Sequence, residues 1–293
     1  MSIKVVDTSD VEQQISAISG WEQHYAQMSA GRFQGRTVQA DLDGVTAYEE
    51  RMNTRVEQYF QAPANALAFS FDMSSGCFYL LDSQSRNTWI TPENYREVAV
   101  VIDLGLLVDH CNTESWQDLS MKPLQSPQAQ LFGSWLSRQL ANLASAPDSP
   151  PPPTLARQLI EDCFFVLESS NPGSDYRQQQ RTRKNRQIVN RICELANSHP
   201  EEHFNALQMA QAAGVSIRQL QQAFLHYTGL APSVWLRRHR LNAAYQDLQQ
   251  ASPAHTTVTE IAMRHSFWHL GRFADAYRGL FNEPPSATLQ RKR

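Results

Sequence analysis

Long side chains that carry paired N–H donors lie along one face of a predicted helix near residue 220. Arg218, Gln221 and Gln222 face away from Leu220 and Phe224, which are one helical turn apart and point to the same side. A guanidinium group can bond both acceptors of a guanine edge, and a glutamine amide can bond adenine. Glutamine is also an ordinary solvent-facing residue of helices. This face therefore indicates either contact with nucleobases or a solvated surface.

The residues before this helix predict how the helix is positioned. A preceding helix ends at Gly214, which tolerates the left-handed backbone of a sharp turn. Ser216 can then cap the next helix. Helix, glycine turn, cap and helix make the helix-turn-helix plan, whose second helix enters the major groove of DNA. A single unit of this kind is also common in helical bundles that have other functions.

The same pattern occurs again about fifty residues later, with Ser266 in the place of Gly214. Four further pairs match in chemical type at an offset of 53: Phe224 and Tyr277, Pro232 and Pro285, Ser233 and Ser286, and Leu236 and Leu289. This indicates a duplicated supersecondary unit. The helix that begins at Pro232 separates the copies by about 30 Å, at about 1.5 Å per residue. One turn of DNA is about 34 Å, so both recognition helices could enter successive major grooves.

The second recognition helix presents a different outer face, formed by Trp268, His269, Gly271, Arg272 and Asp275. Asp275 could order Arg272, accept a bond from a cytosine amino group, or weaken this half of the site. Four other arginines are assigned to phosphate groups, which fix position without reading sequence: Arg237, Arg238, Arg240 and Arg264. His265 and His269 are four residues apart but flank the turn, so we predict no metal site there.

Charge divides the chain into two unlike halves. Residues 1–170 contain 10 Lys and Arg against 21 Asp and Glu, whereas residues 171–293 contain 16 against 8. The basic half fits a polyanionic partner, although surface charge also varies without such a cause. We find no apolar run of about 20 residues and no leader, and therefore expect a cytoplasmic protein that does not contact a membrane. The scattered Cys77, Cys111, Cys163 and Cys193 are interpreted as reduced thiols, and we expect no cofactor.

The first half is predicted to be rich in β-structure, and the second half to be helical. Short apolar or alternating runs over residues 30–105 indicate a small sandwich or barrel. An amphipathic helix begins at Pro127, and it could pack against its own barrel or against a second subunit. A polar, arginine-rich connector follows residue 170, which places the domain boundary near 175–182 and gives domains 1–175 and 176–293. Predicted helices then span residues 183–198, 205–213, 217–227, 232–249, 257–265, 269–280 and 285–290.

The last 110 residues resemble the tandem helix-turn-helix domain of AraC/XylS-type transcription regulators. The resemblance rests on "EIA" at 260–262, Phe267 after the turn, the Phe273 and Tyr277 seam, and the terminal "LFNEPPSATL". Ser266 departs from the glycine that the family usually has. Within this family, "FWHLGRFADAYRGLF" and the earlier "WEQHYAQMSAGRFQG" resemble the branch that contains the ethanolamine-operon activator. The resemblance supports the same base-contacting positions, 218, 221 and 222.

The resemblance implies an α+β, two-domain fold with a cupin-like, effector-sensing barrel before the all-α tandem helix-turn-helix domain. It also implies an activator of a catabolic operon, possible dimerisation, promoter DNA and RNA polymerase as partners, and an effector that could be an amine or amino alcohol. Candidate pocket residues are Tyr48, Glu49, Phe69, Phe71 and Tyr79, with Glu49 or Asp72 facing a cationic effector. Each of these residues is also suited to an ordinary core or surface position.

Two other functions remain open at the level of the sequence. The chain could be a constitutive DNA-binding protein whose barrel serves only dimerisation. It could also be a cupin enzyme with a DNA-binding appendage, but a catalytic cupin needs clustered metal ligands. The first half has only His24 and His110, far apart and without a His-x-His motif, so we predict that the protein is not an enzyme.

Overall fold

A computed structural model of the chain describes residues 2–84, 86–110, 119–146, 150–172, 176–199, 202 and 204–291. Its N-terminal part includes the short helix α1 (Val11–Ala17) and a 3-10 segment at Leu104–His110. Its strands are β1 (Ser2–Thr8), β2 (Glu22–Gln27), β3 (Gly35–Asp41), β4 (Val45–Met52), β5 (Val56–Gln61), β6 (Ala66–Asp72), β7 (Cys77–Asp82), β8 (Asn87–Ile90), β9 (Tyr95–Asp103), β10 (Leu124–Gln125) and β11 (Asn171–Pro172).

These strands form two antiparallel sheets that pack face to face. The large sheet has the order β1-β3-β4-β9-β6-β7-β10-β11, and the small sheet has the order β2-β5-β8. Inner-face side chains from both sheets pack together, for example Tyr48 and Ala99 of the large sheet with Phe60 and Trp89 of the small one. The prediction of a β-rich segment is confirmed. The cupin-like barrel is not closed, because side chains hold the sheets together and no strand pair joins them within the described ranges.

Two helices cover the outer face of the large sheet. Helix α2 (Pro127–Ser145) begins at Pro127 as predicted, with Ser126 as its cap, and helix α3 (Leu155–Glu168) follows the proline-rich break. Leu136 and Leu140 of α2 are buried against the chain's own sheet. Leu131, on the same helix, is 72% exposed. The apolar stripe of α2 is therefore largely used within the chain.

The rest of the described chain is helical. Its helices are α4 (Tyr176–Ser198), α5 (Ala206–Ala213), α6 (Ile217–Thr228), α7 (Pro232–Gln250), α8 (Val258–Arg264), α9 (Leu270–Phe281) and α10 (Pro285–Gln290). The seven predicted helices are confirmed, mostly to within one or two residues. The predicted connector is wrong as a structural description, because α4 already begins at Tyr176. Gln, Arg and Lys favour helices in spite of their polarity, and buried Val189 and Ile192 anchor the end of α4.

The helices pack on the outer face of the small sheet. Ala26 and Met28, on and just after β2, share one apolar cluster with residues of α4, α5, α6 and α7. The small sheet thus lies between the large sheet on one side and the helical part on the other.

Candidate nucleic-acid interface and sensor cavity

Local hydrogen bonds define the first helix-turn-helix unit, formed by α5 and α6. Gly214 ends α5 in the left-handed conformation, with φ 66° and ψ 35°. The Ser216 hydroxyl accepts from the backbone N–H of Gln219 at 3.2 Å, and the Gln219 side chain accepts from the backbone N–H of Ser216 at 3.0 Å. This reciprocal capping box fixes where α6 begins. Leu220 and Phe224 are fully buried, as their spacing predicts.

The outer face of α6 is open to solvent. Arg218, Gln221 and Gln222 are all exposed, so their side chains are available to a ligand outside the domain. The structure places these three predicted contact residues together on one surface. Their roles toward individual bases stay a prediction.

The second unit, formed by α8 and α9, repeats this design with one change. Thr257 and Glu260 form the capping box of α8. Ser266 adopts φ 62° and thus occupies the same left-handed turn as Gly214. Its hydroxyl is buried and lacks a hydrogen-bond partner among the described residues. Phe273 and Tyr277 are buried, so the predicted apolar seam is present.

The predicted contact residues of the second unit are also on the surface. Trp268, His269, Gly271, Arg272 and Asp275 are exposed, and Trp268 is 69% exposed. Trp268 lies just before α9, so its ring is available to a partner outside the domain. A side chain added at Gly271 would meet nothing within 4 Å, so packing within the chain does not require glycine there.

The four arginines assigned to phosphates lie in unlike surroundings. Arg237 and Arg264 are exposed, and Arg264 forms an ion pair of 2.8 Å with Asp247. Arg238 instead donates to the backbone carbonyl of Met28 in the N-terminal part. Arg240 is half-buried and reaches the carbonyl of Phe204 at 3.4 Å. Burial lowers the pKa of both Arg238 and Arg240. The guanidinium nitrogen of Arg238 that donates to Met28 is thus already engaged within the chain in this arrangement.

His265 is engaged within the second unit. Its Nε2 atom lies 3.0 Å from Oδ2 of Asp247, which also pairs with Arg264. No group of three or more His, Cys, Asp or Glu suited to a metal occurs among the residues that the structure describes. Cys77, Cys163 and Cys193 are not in disulfides, and Cys111 lies outside the described residues. Within those residues, no helix has the length and apolar character of a membrane span.

A cavity lies between the two sheets of the N-terminal part. Its empty volume is about 430 Å³, including open solvent at its mouth. It is lined by aromatic side chains and a few polar groups, among them Trp21, Tyr25, Tyr48, Phe60, Tyr79, Trp89, Tyr95 and Glu97. Of the five residues predicted to line a pocket, Tyr48 and Tyr79 do so.

Glu49, Phe69 and Phe71 do not line this cavity, because alternate residues of a strand face opposite sides of a sheet. Phe69 and Phe71 pack against the helices that cover the large sheet. Glu49 lies on the same outer face, where it pairs with Arg51 and Arg96. Burial raises the pKa of the Glu49 carboxyl, but the bonds from both arginines outweigh this effect and lower it overall.

Two carboxyl groups that face the cavity region, those of Glu50 and Glu97, are not among the predicted site residues. Glu50 accepts hydrogen bonds of 2.9 Å from both Gln14 and Gln58. Glu97 accepts from Tyr95 at 2.5 Å and from Tyr48 at 3.3 Å. Burial, with the like charge of Glu97, raises the pKa of Glu50 to about 8. Burial also raises the pKa of Glu97. Alternate residues of a strand face the same side, so the alternation that places Tyr48 inside also places Glu50 inside. This alternation is the sequence pattern from which the inward position of Glu50 could have been predicted.

Polar contacts join the outer face of the small sheet to the first helix-turn-helix unit and the helix that follows it. Tyr227 donates to the carbonyl of Thr88 at 2.6 Å, and the Trp235 indole N–H donates to Glu57. Burial raises the pKa of Glu57 to about 7. Thr88 and Glu57 belong to β8 and β5, which also contribute cavity residues on their inner faces.

A second group of contacts reaches α7 and the second unit. Gln27 and Asn242 exchange two hydrogen bonds of 2.7 and 2.9 Å. The Leu280 carbonyl, near the end of α9, accepts from the Gln27 side chain at 2.9 Å and from the Gly31 backbone at 3.0 Å. Both helix-turn-helix units therefore contact the small sheet or the loop that follows β2.

Comparison with known proteins identifies the helical part. Residues 209–291 match the family described as a helix-turn-helix domain. A probable thc operon regulatory protein of Rhodococcus erythropolis is 38% identical over 103 residues, 35% of this chain and 31% of that protein. XylDLEGF operon transcriptional activator 2 of Pseudomonas putida is 32% identical over 99 residues, 34% of this chain and 63% of that protein. A crystal structure of a probable AraC family transcriptional regulator from Rhodopseudomonas palustris CGA009 is 34% identical, with a TM-score of 0.34, over 36% of this chain and 97% of that one.

The fold, the duplicated turns and the family match together define a tandem helix-turn-helix domain. Its similarity to parts of two operon regulators agrees with the AraC/XylS resemblance seen in the sequence. The matches to the two named operon regulators span less than two thirds of the length of either.

Proposed function

We propose that the chain is a sequence-specific transcription regulator whose N-terminal domain (1–175) senses a small effector and whose C-terminal domain (176–293) binds promoter DNA. In this proposal it activates a catabolic operon, and the narrower resemblance suggests one for amine or amino-alcohol use. RNA polymerase and a second copy of the chain are further partners by family analogy. The relatives' names support an operon regulator, since they refer to the thc and XylDLEGF operons.

One observation carries the sensing part of this proposal. The small sheet has the cavity on its inner face and contacts to both helix-turn-helix units on its outer side. On β5, Gln58 lines the cavity while the adjacent Glu57 bonds Trp235. A ligand that moves β5 or β8 would therefore change contacts to the DNA-binding domain. Such a ligand controls DNA binding only if it binds the two arrangements with different affinity.

Arg238 supports a specific form of this control. Its guanidinium group is held by the Met28 carbonyl in the present arrangement. Release of this contact would free a cation beside the first unit for a phosphate group. Effector binding is then expected to raise DNA affinity by loosening the small sheet from α7, which is the behaviour of an activator with a closed resting form.

Selection of binding sequences from a random duplex pool tests the DNA-binding part. The full-length chain should enrich two half-sites about one DNA turn apart, and single-base changes within them should weaken binding. Failure to enrich any sequence would contradict sequence-specific binding. Isotherms on the enriched site, with and without each compound of a panel of amines, amino alcohols and cobalamins, then test sensing. Affinity that no compound changes, together with reporter activation in their absence, would instead favour a constitutive binder.

A further inference from the structure

The second helix-turn-helix unit has one residue more than the first between its turn and its recognition helix. In both units the residue after the turn bonds back to the preceding helix through its backbone N–H, Val215 at 3.0 Å and Phe267 at 2.9 Å. Ser216, the cap of α6, follows Val215 directly. In the second unit, Trp268 lies between Phe267 and the cap position of α9, His269. Trp268 therefore has no counterpart in the first unit.

Packing within the second unit does not use the Trp268 ring. A hydrophobic residue just before a helix cap often packs on the first turns of that helix. Here Phe267, one residue further back, makes this contact, and its ring centroid lies 4.9 Å from that of Phe273. Trp268 is 69% exposed, although tryptophan is highly buried on average. The extra residue thus presents a large apolar ring to the outside of the domain.

The surface beside Trp268 also differs from that of the first unit. At the offset of 53, Gly271 takes the position of Arg218, and Asp275 takes that of Gln222. A Cβ atom built at Gly271 would meet nothing within 4 Å, so the surface close to Trp268 is open. The second unit therefore has a bare position and a carboxyl group where the first unit has two side chains with N–H donors. It adds an apolar ring at the start of its helix.

The major groove offers a contact that suits such a ring. Thymine carries a C5 methyl group there, whereas the other base edges present hydrogen-bond donors and acceptors. An indole has a single N–H donor, so tryptophan cannot form the bidentate pairs that identify guanine or adenine. Residues at the N-terminal end of a recognition helix contact the base edges. Trp268 lies at this end of α9.

We propose that Trp268 selects a thymine in the half-site of the second unit by covering the C5 methyl group of the base with its indole ring. The two half-sites are then recognised by different chemistry, hydrogen bonding in the first and apolar contact in the second. Burial of one methyl group corresponds to a difference of about fourfold in affinity. This inference rests on the proposed DNA-binding function and adds the base that the second unit prefers.

Base analogues that differ only in this methyl group test the proposal on the full-length protein and the duplex that it selects. Uracil replaces each thymine in turn, and cytosine is compared with 5-methylcytosine at the position where uracil acts. In the half-site whose base preference Arg218→Ala leaves unchanged, we expect one uracil to weaken binding about fourfold, and methylation of cytosine there to strengthen it by a similar factor. Absence of either effect, or a selected half-site without thymine, would overturn the inference.

Substitutions assign the methyl contact to its side chain. Trp268→Ala should weaken binding and abolish the difference between thymine and uracil, whereas Trp268→Phe should keep part of it, because a ring remains. Phe165→Ala, which removes an exposed aromatic ring on α3, is the matched control and should change neither quantity. Thermal unfolding establishes that each variant is folded. A folded Trp268→Ala protein that still distinguishes thymine from uracil fourfold would refute the assignment, even if its affinity for all duplexes fell.

The selection of DNA separates this inference from the proposed function. If the protein selects a sequence but no thymine methyl group affects its binding, the role of Trp268 is wrong and the regulator proposal stands. If the protein selects no sequence, the regulator proposal fails, and this inference fails with it.

Discussion

At the scale of single residues, the two turns of the tandem domain form a natural comparison. Gly214 and Ser266 share a left-handed backbone, with φ of 66° and 62°. A residue with a Cβ atom pays about 1–2 kcal/mol for this conformation, whereas glycine does not. Ser266 also buries an unpaired hydroxyl. The second turn is therefore strained where the first is relaxed.

Exchanging these residues should move stability in opposite directions. Ser266→Gly is expected to raise the free energy of unfolding by about 1 kcal/mol, and Gly214→Ser to lower it by about 1–2 kcal/mol. No atom lies within 4 Å of a Cβ built at Gly214, so the loss there would be conformational rather than steric. Urea denaturation measures both changes.

Ser233→Gly provides the matched control, because Ser233 is an exposed residue in the first turn of α7. Glycine in an ordinary helical position lowers stability. Stabilisation by glycine at both 233 and 266 would show that the left-handed backbone is not the cause.

The buried Glu50 makes a second prediction, about pH. Its pKa is raised from 4.5 to about 8 by burial and by Glu97, while Tyr25 and the two glutamines that face it donate hydrogen bonds. A raised pKa means that the folded state holds a proton the unfolded state has lost. The contribution of Glu50 to the free energy of unfolding is thus fully present below pH 4.5 and is lost as the pH rises toward 8.

Glu50→Gln should remove much of this dependence. Little change in stability is expected at pH 5, where the carboxyl is protonated in the folded protein. A relative gain of up to about 4 kcal/mol is expected at pH 8, since the two pH values are three units apart and each unit corresponds to about 1.4 kcal/mol. Unfolding curves at the two pH values measure the difference, and Glu93→Gln serves as the exposed control. An equal effect of Glu50→Gln at both pH values would contradict the assignment.

At the scale of elements, the recognition helix α6 and the helix α7 are expected to contribute different kinds of contact. Arg218→Ala should cost about 1–3 kcal/mol at one base position and relax preference there. Arg237→Ala should weaken binding to all sequences alike and reduce the salt dependence, because phosphates carry no sequence information. Binding isotherms on single-base variants at two salt concentrations compare them. Identical specificity profiles of the two variants would refute the distinction.

We expect Arg238→Ala to affect DNA binding differently from Arg237→Ala. Because its guanidinium group is bonded to Met28, Arg238→Ala should affect DNA binding mainly when an effector is present. The same isotherms, repeated with and without an effector, compare it with Arg237→Ala. Equal losses in both conditions would indicate that Arg238 reaches phosphate without rearrangement.

At the scale of the whole molecule, the small sheet lies between the cavity and the helix-turn-helix domain. Tyr227→Phe deletes one hydroxyl, which bonds Thr88 across this link at 2.6 Å. A hydrogen bond contributes about 0.5–1.5 kcal/mol, so the factor by which effector changes DNA affinity should fall by about two- to tenfold. DNA isotherms with and without effector measure this factor.

Tyr277→Phe is the matched control for this coupling. It deletes the same group, but its hydroxyl bonds Thr288 at 2.8 Å inside the helical domain. It should lower stability while leaving the coupling factor unchanged. Equal losses of coupling in the two variants would place the link elsewhere.

Most helix bounds, the two turns and the cap at Ser216 follow from the sequence, because each depends on residues only a few positions apart. The structure adds the reciprocal bonds of Ser216 with Gln219 and of Thr257 with Glu260, which are also three residues apart. The exposed faces of α6 and α9 follow from the same helical period. The β-rich character of the first half could be predicted in the same way, because the alternation of apolar residues in a strand is also a short-range pattern.

The cavity and the contacts between the domains were decided only by the tertiary structure. A shift of one residue in strand phase exchanges the two faces of a sheet, so Glu50 faces inward while Glu49 faces outward. The acid pair brings together residues 50 and 97, and Gln27 bonds Asn242 across 215 positions of sequence. Short-range sequence patterns do not predict contacts between residues so far apart in the chain. They result from how the two sheets and the helices pack, because packing depends on the surfaces of all elements at once.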